Sequence, residues 1–256
     1  RVLHWEMRPM MQRTFDILVV GAGHAGCEAA LVASRLGASV GLVTLRLDKI
    51  AQMSCNPAVG GVGKGHLVRE IDALGGEMGR AADATGIQYR RLNMSRGPAV
   101  RSTRCQSDSA LYRGYMTDVV MNTEGITPIE GEVVQLEHNT KHIEGLRLKN
   151  GDVLKARAVV ITTGTFLNGL CHVGEERFEG GRAGDAPASF LSTSLRELGL
   201  RLGRFKTGTT PRLDANTIDW GRLEGQWGDE PRPRFSFDQV DNPHKQISCH
   251  VTHTNE

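Results

Sequence analysis

The feature that most constrains this chain is a short apolar run, Phe15 to Val20, that ends in Gly21-Ala-Gly23-His-Ala-Gly26 and passes directly into an alanine-rich amphipathic segment, Cys27 to Leu36. Strand, Gly-x-Gly-x-x-Gly and helix in immediate succession give the fingerprint a mechanism. The first glycine permits a tight turn, the second lets backbone approach a pyrophosphate at the helix N-terminus, and the third lets helix and strand pack closely. In isolation the motif also fits a structural turn. In this context it predicts dinucleotide binding, with Gly21, Ala22, Gly23, His24, Ala25 and Gly26 at the pyrophosphate. A second strand is predicted over Ser39 to Thr44, and an acidic residue for the ribose is expected about 20 residues after the fingerprint. The chain there reads Thr44-Leu-Arg46-Leu-Asp48, so a late acid at Asp48 and a 2′-phosphate partner at Arg46 both stand open.

Further on, Glu132 to Leu136, Ile143 to Leu148 and Val153 to Ile161 read as three strands, the last two joined by an Asn150-Gly151 turn. The meander leads through Ala158-Val-Val-Ile-Thr-Thr-Gly164, read as a buried strand with a second close-approach glycine. A meander that splits the Rossmann unit and returns the chain to the parallel sheet is typical of two-dinucleotide flavoproteins, which favours a flavoprotein over an NAD dehydrogenase. The fold class is therefore α/β: a Rossmann-type FAD-binding domain with a parallel sheet and a β-meander over residues 14–204, and the start of an inserted α/β substrate or tRNA domain over 205–256. Residues 1–13 read as a disordered or non-native leader, with Met7, Met10 and Met11 as candidate starts. The chain as a whole reads as an N-terminal fragment.

A second motif is Met53-Ser-Cys-Asn-Pro-Ala-Val-Gly-Gly-Val-Gly-Lys-Gly65, ahead of a segment from His66 to Gly76 whose Leu67, Val68, Ile71 and Leu74 share one helical face. A phosphate-binding P-loop would need glycine where Ala58 stands and Ser or Thr where Gly65 stands, which excludes a nucleoside triphosphatase of that type. Two readings remain: a site in which Cys55 is a reactive thiol, and a glycine-rich turn around an inert buried cysteine. Ala84 to Ser107 holds five arginines (Arg90, Arg91, Arg96, Arg101, Arg104) and no acid. Such a run is either a solvated face or a loop that contacts RNA or cofactor phosphates. Leu111 to Met121 and Ser189 to Leu198 read as helices, Thr165 to Asp185 as turns, and Arg201 to Arg212 gathers four cations around Lys206-Thr-Gly-Thr-Thr-Pro211.

Composition narrows the class. With 31 basic and 29 acidic residues among 256, the net charge of +2 makes any nucleic-acid affinity a matter of clustering. Five scattered cysteines without a Cys-x-x-Cys pair argue against a disulfide framework or a zinc site, and for a reducing compartment. No metal site, membrane span or secretory signal is read, so the expectation is a soluble, intracellular protein.

Beyond these generic motifs, Gln52-Met-Ser-Cys-Asn-Pro57, Gly63-Lys-Gly-His-Leu-Val68, Glu70-Ile-Asp-Ala-Leu-Gly-Gly76, Gly97-Pro-Ala-Val-Arg101, Gly164-Thr-Phe-Leu167, Gly180-Gly-Arg-Ala-Gly-Asp185, Lys206-Thr-Gly208 with Pro211-Arg212, and Thr252-His-Thr-Asn-Glu256 follow the fingerprint in register. Together they resemble the MnmG (GidA) family of tRNA uridine 5-carboxymethylaminomethyl modification enzymes. The resemblance implies an FAD enzyme, cytoplasmic or mitochondrial according to source, that acts on the wobble uridine, position 34. It further implies NADH as reductant, methylenetetrahydrofolate as one-carbon donor, and glycine or ammonium as amine source. The implied partners are the anticodon stem-loop of tRNA and the GTPase MnmE, a homodimer joining MnmE in a heterotetramer. By position, Gly21 to Gly26 would hold the FAD pyrophosphate, Val133 would contact the adenine end, and Cys55 matches one of two functional cysteines. The second, the rest of the flavin domain and a helical C-terminal domain are expected beyond Glu256, so this fragment alone is expected to be inactive and to hold FAD poorly. Two departures stand out: Ala188 where relatives often carry a flavin-contacting Ser, and Thr210 in place of a usual proline, expected to loosen a turn.

Two rival readings carry their own expectations. A shorter paralogue uses folate and FAD to methylate uridine 54 of tRNA and shares the fingerprint and the chemistry, although the Lys206 to Arg212 and Thr252 to Glu256 strings favour MnmG. A non-catalytic flavin-binding RNA-interaction module would make Cys55 a core cysteine.

Overall fold

The computed structural model describes residues 12–182 and 184–254. In chain order its elements begin with β1 (Gln12–Val20), α1 (His24–Arg35), β2 (Val40–Thr44), β3 (Ala58–Gly60), α2 (Lys64–Ala73) and α3 (Met78–Thr85). Then come β4 (Gly86–Leu92), β5 (Ser102–Ser107), α4 (Ser109–Asn122), β6 (Ile126–Glu130), β7 (Val133–His138), β8 (Ile143–Leu148) and β9 (Val153–Ile161). The series ends with β10 (Leu170–Val173), β11 (Glu176–Glu179), α5 (Leu191–Glu197), β12 (Glu224–Gln226) and β13 (Cys249–Val251). The described residues form two compact units, one within residues 12–50 and 120–204, the other within 51–119 and 205–254.

The first unit is built on a six-stranded sheet in the order β6-β2-β1-β9-β8-β7. β6, β2, β1 and β9 run parallel, with Val19 opposite Leu42 on one side and Val160 on the other, while β8 and β7 add antiparallel. Helix crossovers cover the faces of parallel strands, which explains why β1 is apolar on both faces: Leu18 and Val19 are wholly buried. One core cluster joins Val20 and Val43 to Val133, Leu136, Leu146 and Leu154 of the meander and to Leu191 and Leu195 of α5. Ser194 of that helix accepts a hydrogen bond from the Leu136 amide at 3.0 Å. β6 escapes a sequence reading because of Pro128, which is compatible with its place at the sheet edge.

Three expectations are corrected here. Gln12 and Arg13, assigned to a leader, extend β1 and pair with Val153 and Leu154; ladder pairing is a backbone property and needs no apolar side chain. The remainder of that leader, residues 1–11, lies outside the described residues. The strand over Ala158 to Ile161 forms, but it is not the buried strand expected: Val160 and Ile161 are each more than a third exposed among the described residues. The continuous 14–204 domain does not hold either, because residues 51–119 pack with 205–256.

The second unit contains an antiparallel sheet in the order β3-β5-β4, the helices α2 and α3, and a two-stranded β12-β13 ribbon. The arginine run expected as a loop is largely the β4–β5 hairpin, whose core-facing residues Tyr89, Thr103 and Cys105 supply the alternation that the arginines mask. Buried Asp83 ties the two sequence segments of this unit together. Its carboxylate accepts from the amides of Phe235 at 3.0 Å and Ser236 at 2.8 Å, and Asn242 donates to the Asp83 carbonyl at 2.8 Å and to the Tyr89 hydroxyl at 2.9 Å. Asp83→Ala leaves both amides buried without an acceptor, so unfolding by denaturant, followed by Trp220 and Trp227 fluorescence, is expected to show a loss of about 3 kcal/mol.

Burial raises the Asp83 pKa above its ordinary 3.8, with the Ser236 and Phe235 amides opposing that shift. The folded state thus binds this proton more tightly than the unfolded chain does. The resulting stabilisation is full below 3.8 and is lost as pH rises through the raised folded value. Across that window the wild type is expected to lose stability with rising pH relative to Asp83→Asn; a flat difference would contradict the assignment.

Candidate functional site: a nucleotide cradle and an exposed thiol

In the first unit the fingerprint glycines divide by what surrounds them. Gly21 has φ +96°, and a Cβ added there would lie 2.4 Å from the Thr162 carbonyl oxygen; one added at Gly26 would lie 1.7 Å from the Gly21 oxygen. Protein therefore fills those two positions. A Cβ on Gly23 would meet nothing within 4 Å. Gly23 is also the N-cap of α1 and carries no side-chain cap, so the open space lies where the helix presents its first amides. A pyrophosphate fits there by backbone contact and helix polarity. Ala22 is buried, Ala25 exposed, and His24 half-buried. Burial holds the His24 imidazole below its usual range, leaving it neutral at pH 7.

Thr162 at the end of β9 secures this turn. Its hydroxyl donates towards the Val20 oxygen at 2.8 Å and lies 3.0 Å from the Gly21 oxygen, while its amide donates to Val20 at 2.8 Å. Gly164 stands out in the sequence as a close-approach glycine, whereas the role of Thr162 is signalled there only by a Thr-Thr-Gly closing an apolar strand. At the end of β2, Arg46 and Asp48 bond each other at 2.7 and 2.9 Å, so neither offers an uncommitted charge to a ribose or a 2′-phosphate. The Gly131 amide donates to the Thr44 oxygen at 2.8 Å, which brings the β6–β7 connection to the same strand end. Val133 follows directly. Its side chain is buried in the core, so only its backbone is available to an adenine. Ala188 is buried and held by its amide to the Phe166 oxygen at 2.9 Å.

Cys55 belongs to the second unit and is exposed. Residues 205–213 form no helix or strand and are exposed throughout, yet they meet the cysteine loop at three points. The Cys55 thiol donates to the Gly208 oxygen at 3.3 Å, the Thr210 hydroxyl donates to Asn56 Oδ1 at 3.2 Å, and the Arg212 guanidinium donates to the Cys55 carbonyl oxygen. The Thr210 departure thus supplies a hydrogen bond that proline lacks. Gln52, three residues before the cysteine, has a buried side-chain oxygen with no partner among the described residues. Arg212→Gln frees this strap, and alkylation of Cys55 by iodoacetamide is expected to quicken about tenfold, the worth of one charge-assisted hydrogen bond; an unchanged rate would show that the strap does not restrain the thiol. The opposite case within this unit is Cys105, fully buried, whose thiol burial pushes up to about 12.

Among the described residues no group of three or more His, Cys, Asp or Glu is placed to hold a metal ion, and no helix is long and apolar enough to cross a membrane. The family model described as "Glucose inhibited division protein A" (GIDA) matches residues 16–256. A curated relative from Geobacter sulfurreducens, named tRNA uridine 5-carboxymethylaminomethyl modification enzyme MnmG, is 53% identical over 247 residues, 96% of this chain and 39% of the relative. One of the same name from Pelobacter propionicus is 52% identical over 242 residues, covering 94% and 38%. The solved structure of Aquifex aeolicus GidA in its form II crystal superposes with a TM-score of 0.89 at 47% identity, over 93% of this chain and 40% of that one. A GidA-related protein from Thermus thermophilus, at 21% identity and a TM-score of 0.52 over 73% of this chain and 69% of that one, shares the fold. The chain spans about 39% of the length of the first of these curated relatives. The matched model, the identity and the shared architecture together show that this chain belongs to the GidA family.

Proposed function

We propose that this chain supplies the nucleotide cradle and the cysteine loop of an FAD-dependent enzyme that places a carboxymethylaminomethyl-type group on C5 of the tRNA wobble uridine. The observation that carries the reading is the pairing, in a single chain, of a cradle open only at Gly23 with a solvent-facing thiol at Cys55. The names of the curated relatives supply the substrate class. Gly21, Gly23 and Gly26 would hold the FAD pyrophosphate and the Val133 backbone the adenine. When bound, FAD supplies hydride-transfer chemistry, with NADH as its reductant and methylenetetrahydrofolate as the one-carbon donor.

The chain's own chemistry is at Cys55. Uracil C5 is a weak nucleophile until a group adds to C6, and a positioned thiol can make that addition or move a proton at C5. Arg212 and Gly208 orient the sulfur. The whole enzyme is read as a homodimer that works with the GTPase MnmE. Nucleoside mass spectrometry of tRNA from cells lacking the full-length gene, with and without rescue, tests the reading. Loss of the aminomethyl-type nucleoside at wobble uridines, restored on rescue, is expected. Loss of 5-methyluridine at position 54 with the wobble base intact would transfer the protein to the methyltransferase reading.

A further inference from the structure

In the hairpin of β4 and β5, Arg90 stands directly opposite Arg104. Side chains so paired leave the same face of a sheet with their Cβ atoms about 5 Å apart, and like charges in that position repel. Both arginines are part-buried. Nε of Arg90 is shielded from solvent without a hydrogen-bond partner, and among the described residues neither guanidinium has an ion pair or side-chain hydrogen bond. The neighbouring rows do not neutralise them: Gln88 faces Gln106, Leu92 faces Ser102, and the β3 position opposite Arg104 is Gly60.

Two unpaired cations, held together and partly withdrawn from water, carry a standing electrostatic cost. An anion bound between them removes the repulsion and gives the buried N–H an acceptor. Guanidinium forks match phosphate oxygens in geometry as well as charge. Arg91, Arg96 and Arg101, all exposed on the same hairpin, add longer-range attraction for a polyanion.

We propose that Arg90 and Arg104 form a seat for a single phosphate group, a backbone phosphodiester of the RNA substrate. This rests on the tRNA reading above, but its first test does not. Thermal unfolding of the full-length, FAD-bound protein is compared in inorganic phosphate and in chloride at equal ionic strength. Arg104→Gln relieves the repulsion, so in chloride it is expected to melt no lower than wild type, while losing most of the phosphate-dependent rise. Arg90→Gln should behave alike. A purely structural arginine gives the opposite pattern: lower melting in chloride with the phosphate response unchanged, and that result overturns the seat.

The second arm measures tRNA affinity against salt concentration. Each substitution is expected to reduce the slope of log K against log salt by about one, as for one lost phosphate contact. A phosphate response that depends on both arginines, combined with an unchanged tRNA slope, overturns the assignment to RNA and gives the seat to a small phosphorylated ligand.

Discussion

Gly26→Ala is expected to unfold the nucleotide-binding unit or strip it of flavin, whereas Gly23→Ala, three residues away, is expected to leave the fold intact. At Gly26 the added methyl carbon would lie 1.7 Å from the Gly21 oxygen and 2.8 Å from the Thr162 hydroxyl. No rotamer relieves a clash with backbone, so α1 must move away from the turn that it caps. The cost sits at the upper end of overpacking penalties, about 3 kcal/mol or more. At Gly23 the methyl meets no protein atom within 4 Å, and φ of −74° suits alanine. Its effect therefore falls on whatever approaches that space. Circular dichroism of the full-length variants reports the fold and flavin absorbance reports the cofactor. A Gly23→Ala protein with normal melting and full flavin content would sink the cradle.

Cys55→Ser is expected to lower wobble-uridine modification by a factor of about 10² to 10⁴, the range for a lost general acid or base, with larger losses if the thiol is the nucleophile. Stability should be unchanged, because Cys55 is exposed and its thiol makes one long contact to a carbonyl. Alkylation gives an independent check. Iodoacetamide at neutral pH should label Cys55 and leave Cys105 untouched, since a buried thiol raised to about 12 offers almost no thiolate. Full modification activity in Cys55→Ser with flavin bound would remove both proposed roles.

The first unit was the more legible because its signals are local. Strand, fingerprint and helix lie within residues 15–36, and the meander announces itself through alternation and an Asn150-Gly151 turn. What escaped was contributed across distance. Thr162 acts on Val20 and Gly21 from more than a hundred residues away, and no pattern in the sequence ties a hydroxyl to a carbonyl at that separation. The β4–β5 hairpin was hidden for a different reason: Arg90, Arg91 and Arg104 occupy strand positions, and charge there imitates a loop. At the cysteine site the residue was found but its setting was not. Gly208, Thr210 and Arg212 read as a separate cationic motif, and only the folded chain brings them to Cys55 and Asn56.

The second unit's division into 51–119 and 205–256 sets an order of events during synthesis. When residue 119 leaves the ribosome, Asp83 and Tyr89 are already made, yet Phe235, Ser236 and Asn242, which satisfy them, are more than a hundred residues away. The whole of 120–204 emerges first and can finish the parallel sheet around β1 and β9. The thiol-bearing unit therefore closes after the first, its Asp83 and Tyr89 waiting for the partners that residues 235–242 supply. A pause in translation between Arg204 and Phe235 would lengthen that wait and keep the incomplete unit open to aggregation and to chaperones for longer.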